Sequence, residues 1–130
     1  MHFEFIPSPS FNTGEDEFVL NVPKDIQSKD ELLVELAKAG NFPEYFGGNW
    51  DALLDCLRDF EWIRQKTILI VHRDLPLHTS PEDCLTYLEI LDVASNDRNQ
   101  NSNLAFPEHK LRVIFSLSQR DKVLEVVANA

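Results

Sequence analysis

Positive charge is scarce in this chain. Its 12 lysines and arginines face 22 aspartates and glutamates, so the 130 residues carry a formal net charge of -10 at neutral pH. A field of that sign repels phosphate backbones and anionic membrane surfaces, which disfavours direct binding of nucleic acid or membrane. It attracts basic proteins, and it also serves plain solubility. Cysteine is scarcer still. Cys56 and Cys84 are too few for a disulfide scaffold and too far apart for a CxxC motif, so both are expected as reduced, buried thiols. No segment approaches the roughly 20 apolar residues of a membrane span. The start "MHFEFIPSPSF" has neither a basic lead nor an apolar run of signal-peptide length, which predicts cytoplasmic residence. Glycine-rich phosphate loops are missing, because Gly47-Gly48 lacks the lysine and hydroxyl residue of a P-loop. The histidines His2, His72, His78 and His109 show no metal-ligand spacing. No cofactor is expected.

What is present is the composition of a globular domain, with 43% hydrophobic and 26% charged residues, and the length suits one domain over 1–130. Residues 1–16 mix aromatics with proline, serine and glycine and read as an irregular arm with room for a short strand at "FEFI". "EFVLNV" (17–22), "TILIVH" (67–72) and "LRVIFSL" (111–117) read as strands, the second apolar enough to be buried on both faces. Ser28 with Glu31 forms a capping box that opens a first helix, and Gly40-Asn41 stops it. Asn49 caps a second helix from Trp50 to about Phe60. Ser80, Pro81, Glu82 and Asp83 open a third, which runs to about Val93. Residues 95–103 read as a mobile polar loop, and 119–130 as a C-terminal extension with a short helix. Strands separated by helices favour crossover connections, which predicts an α/β fold with a small three-stranded parallel sheet packed by helices.

The stretch "FPEYFGGNWDALLDCLRDF" (42–60) carries the most information. Helical spacing puts Trp50, Leu53, Cys56, Leu57 and Phe60 on one face and Asp51, Asp55 and Asp59 on the other, with Leu54 at the boundary. Trp62 would extend over the acidic side if the helix continued that far. Asp51 gains from the helix dipole, but the two i,i+4 aspartate pairs each cost roughly 0.2–0.5 kcal/mol, offset in part if Arg58 pairs with Asp55. The pattern fits a solvated polar face and an anion-presenting binding surface alike. Aspartate has few rotamers, so such a row holds charge at fixed points one helical turn, ~5.4 Å, apart. That is near the spacing of successive phosphates along a nucleic-acid strand, and the row can imitate them. Stacked along one helix, these carboxylates do not flank a bond as paired catalytic acids do, and Cys56 lies on the buried face without a base. An enzyme is not expected.

"PEYFGGNWDALLDCL" strongly resembles the barstar family of small intracellular inhibitors of barnase-type secreted ribonucleases. The resemblance is most specific over 42–60, and the element order from about 17 to 117 is consistent with the family's three-stranded sheet. It implies that the second helix and the preceding loop plug a ribonuclease active site, where the helix carboxylates meet the basic groups that would hold RNA phosphate. By position, Asp51 and Asp55 match the two acidic contacts, Asp55 the deeper one. Tyr45 matches a loop aromatic, and Gly47 and Asn49 match the residues that let the loop come close and start the helix. Leu54 stands where the best-known member has tryptophan, and Asp59 replaces a small residue, so a changed rim surrounds a kept acidic centre. Glu89 and Asp92 are candidates for a further acidic contact from the later helix. The implied partner is a basic secreted ribonuclease or related toxin, bound by a protein monomeric when free. The alternative is an acidic interaction or regulatory module using the same surface on a non-nuclease partner.

Overall fold

The computed structural model describes residues 2–44, 46–100 and 109–128, with the side chains of 97–100 excepted. In chain order these form β1 (Glu4–Ile6), β2 (Glu17–Val22), α1 (Lys29–Ala39), α2 (Trp50–Asp59), β3 (Thr67–His72), α3 (Pro81–Gln100), β4 (Lys110–Ser116) and, after a 3-10 turn at Leu117–Gln119, α4 (Arg120–Ala128). All pairings are parallel, and the sheet order is β1-β4-β3-β2. The fold is the expected α/β arrangement. Among the described residues no helix is long and apolar enough to cross a membrane.

The sheet has four strands where the sequence pattern indicated three. The extra strand is β1, at "FEFI", whose three residues pair with Ile114, Phe115 and Ser116. A three-residue strand followed at once by a proline has no periodicity to read. Its partners lie far along the chain: the Arg112 guanidinium donates to both Glu4 carboxylate oxygens at 2.8 Å, and Phe3 and Phe5 pack on the Phe115 ring.

Two apolar layers explain why β3 reads as an uninterrupted hydrophobic run. Leu20, Ile68, Ile70, Val113 and Phe115 join the buried residues of the helices in the main core. Val19, Leu69, Val71 and Ile114 alternate with them and form a second cluster, against which Ile6 and Phe11 pack. The arm therefore has a structural task. Thr13 Oγ1 accepts from the Val19 N–H at 3.0 Å, and the Gln65 side-chain amide donates to Gly14 O at 3.2 Å.

α3 also departs from expectation, since it continues to Gln100 where a loop over 95–103 was expected. The cause is one more turn of burial: Ala94 and Ser95 prolong the stripe of Cys84, Tyr87, Leu88 and Leu91. Ser95 Oγ then donates back to Asp92 O at 3.1 Å. Residues 101–103 of that segment lie outside the described residues.

Inside the core, the His72 ring stacks on Phe115 with centroids 4.1 Å apart. Its Nδ1 lies 3.0 Å from Ile114 O, and its Nε2 lies 2.7 Å from the Tyr87 hydroxyl. A carbonyl can only accept, so Nδ1 carries the proton and Nε2 accepts from Tyr87. This neutral ring ties α3 to the sheet. Complete burial pushes its pKa down to about 4, although the bond to Ile114 acts the other way. An exposed histidine protonates near pH 6.5, so between about 6.5 and 4 the unfolded chain binds a proton that the folded chain refuses. Stability present above pH 6.5 should fall by on the order of 3 kcal/mol across that window. Urea unfolding at stepped pH should show this slope in the parent and a slope smaller by one proton in His72→Gln. Equal slopes would remove His72 as the cause.

Candidate protein interface

The loop before α2 is shaped by aromatic packing. α1 stops at Gly40, whose N–H donates to Leu36 O at 2.8 Å, and Phe42 folds back so closely that a Cβ on Gly40 would lie 2.6 Å from its ring. Phe42 meets Phe46, Phe60 and Trp62 with centroids 5.1, 6.2 and 5.9 Å apart, each edge to face. Trp62 does not extend over the acidic side. Phe60 takes a left-handed φ of 48° and ends α2, and the Trp62 indole N–H donates to Gly40 O at 2.9 Å. The loop is thereby pinned beside the helix.

The turn into α2 needs a left-handed residue, and Gly48 supplies it at φ 67°. Gly47 has ordinary space for a Cβ, 3.6 Å from the Asn49 side chain. The left-handed backbone of this turn thus falls on Gly48. Asn49 then starts the helix: its Oδ1 accepts from the Ala52 N–H at 2.8 Å, and its O accepts from the Leu53 N–H at 3.0 Å.

Within α2 the two faces separate as the spacing predicts. Leu53, Leu57 and Phe60 are wholly buried and Cys56 nearly so. Asp51 and Asp55 are exposed, and Asp59 is half-buried. Leu54 is half-buried against the core, and Trp50 lies over Tyr87 of α3 at 6.5 Å, with the Lys29 ammonium 5.3 Å from its ring. Phe46, Ala52, Asp55, Cys56 and Asp59 enclose a cavity of about 170 Å³. Asp51 continues the row one turn away.

Electrostatics at this cavity are visible through Cys56. Burial, then the negative fields of Asp59 and Asp55, push its thiol up to about 11. It stays protonated and inert at neutral pH. A cation entering the cavity would meet the same field from the opposite side of the balance. Asp59 also caps the turn that follows, its carboxylate accepting from the Glu61 N–H at 3.3 Å.

Among the sequence candidates, Asp51, Leu54, Asp55 and Asp59 share one helix, with Asn49 at its start. Tyr45 lies outside the described residues. Glu89 is exposed on α3, and Asp92 is half-buried with an oxygen accepting from the Asn96 amide at 3.4 Å; neither lines the cavity. Phe46 is a wall of the cavity that sequence reasoning passed over. Its only signal was its place in "PEYFGG", where aromatic identity alone does not separate a surface wall from a core residue. Among the described residues no group of three or more His, Cys, Asp or Glu is placed to hold a metal ion.

Replacing Asn49 with alanine should destabilise the protein by about 1 kcal/mol, the usual loss for such a cap, while serine should restore most of it. Equilibrium urea unfolding checks both. An alanine variant as stable as the parent would show that the cap bond is dispensable.

Among protein families, the model described as Barstar (barnase inhibitor) matches residues 17–107, the larger part of the chain. Comparison with curated proteins gives no match.

Proposed function

The chain belongs to the barstar family, and from that premise we propose that it inhibits a basic ribonuclease by covering the enzyme's active site with α2 and the loop before it. The observation that carries this reading is the row Asp51, Asp55 and Asp59 on a capped, rigid helix, with the last two walling a small cavity. A ribonuclease must present cations where RNA phosphates sit. Carboxylates at one-turn spacing offer those cations the same charge without a bond to cleave.

Occlusion requires affinity rather than turnover, and nothing in the proposed role needs a cofactor. Asp55 takes the centre of the contact, Asp51 and Asp59 flank it, and Tyr45, Gly47, Asn49 and Leu54 complete the surface. The net charge of -10 adds long-range attraction, so encounter with a basic enzyme is fast and sensitive to salt. Leu54 and Asp59 make this rim more acidic and less aromatic than the family's best-known one, which suits a ribonuclease with an extra cation at that edge. The protein acts as a monomer in the cytoplasm, where it protects the cell from the toxin.

Titration of the parent and Asp55→Ala into a barnase-type ribonuclease, with RNA cleavage followed in the same mixture, tests the reading. The parent should bind one to one and abolish cleavage. The variant should lose at least ~30-fold in affinity, as expected when one partner of a buried charge pair is removed. Equal affinity for the two would sink the proposed surface.

A further inference from the structure

α4 lies beyond the residues that the family model matches, and it borders a cavity that shares no residue with the α2 surface. Val123 seats it in the core, and just ahead of the helix Gln119 Oε1 accepts from the Leu75 N–H at 3.2 Å. The helix touches α3 over only part of its length. Between them stands a cavity of about 590 Å³, well inside the roughly 300–1,000 Å³ range of small-molecule sites. Leu75, Pro81, Leu85 and Val126 make its walls largely apolar.

The polar groups around this cavity are Glu82 and His78 from the α3 side and Lys122 and Glu125 from α4. Among the described residues no ion pair joins Lys122 to either glutamate. Two carboxylates against one ammonium leave the lining net negative, and the whole-chain charge has the same sign. Charge complementarity therefore selects a cation.

The backbone beside the cavity is also unusual. Leu77, next to His78, is wholly buried at a left-handed φ of 62°, which a bulky residue rarely adopts. Two hydrogen bonds hold it there, from its N–H to Ile26 O at 3.2 Å and from the Ser80 N–H to its O at 2.9 Å.

We propose that the cavity between α3 and α4 binds a small amphipathic amine, its apolar body against Leu85 and Val126 and its protonated nitrogen between Glu82 and Glu125. The site shares no residue with the α2 surface, so it stands or falls independently of ribonuclease inhibition.

The test is titration of the full chain with 2-phenylethylamine and, separately, with its charge-inverted counterpart 3-phenylpropanoate, followed by backbone amide shifts. The amine should saturate with shifts centred on Leu85, Lys122 and Val126, and should bind roughly tenfold tighter than the carboxylate. Glu82→Gln combined with Glu125→Gln should erase that preference, and Leu85→Trp should fill the cavity and abolish binding. Should the tryptophan variant fail to fold, the exposed glutamine pair carries the test alone. Any of four outcomes overturns the proposal: no saturation by the amine, equal affinity for the carboxylate, shifts gathered at Asp51, Asp55 and Asp59, or a preference that survives the glutamine pair.

Discussion

Leu53, Leu57 and Phe60 are excluded from water, and a ten-residue helix that buries the first two along its length and the third at its C-cap has no rotational freedom left. Each such side chain contributes about 1.5–3 kcal/mol on burial. The like-charge aspartate pairs on the opposite face oppose this by only roughly 0.2–0.5 kcal/mol each. Burial wins, and the direction of Asp51, Asp55 and Asp59 follows from it. The acidic surface is thus a by-product of core packing in its orientation, though not in its residue types, since a neutral helix former at Asp55 would remove both like-charge pairs.

The scaffold behind α2 keeps that orientation fixed. Trp50 lies on Tyr87, Tyr87 donates to His72, and His72 donates to the β4 backbone at Ile114, so polar and aromatic contacts run from the start of α2 to the centre of the sheet. At the other end of the helix, Phe42, Phe60 and Trp62 bind the preceding loop to the turn that follows. A surface held at both ends has little conformational freedom left to lose.

Most of this was legible in the sequence because the informative signals are local. Ser28 and Asn49 announce their caps, "TILIVH" announces a central strand, and the spacing of Leu53, Leu57 and Phe60 announces which side of α2 is buried. The misses involve partners distant in sequence. β1 depends on Arg112 and Phe115, the last turns of α3 depend on burial of Ala94 and Ser95, and Trp62 is turned by Gly40. The cavity beside Asp55 needed Phe46 to be placed by Phe42, which composition cannot show.

If the α2 carboxylates stand in for RNA phosphates, the protein and a phosphate ligand must exclude one another from the ribonuclease. The most direct measurement is the affinity of this chain for a barnase-type ribonuclease at increasing concentrations of an active-site mononucleotide, at constant ionic strength. The account predicts that apparent affinity falls in proportion to the fraction of active sites the nucleotide fills. Affinity unchanged at saturating nucleotide, or no binding at all, would contradict it.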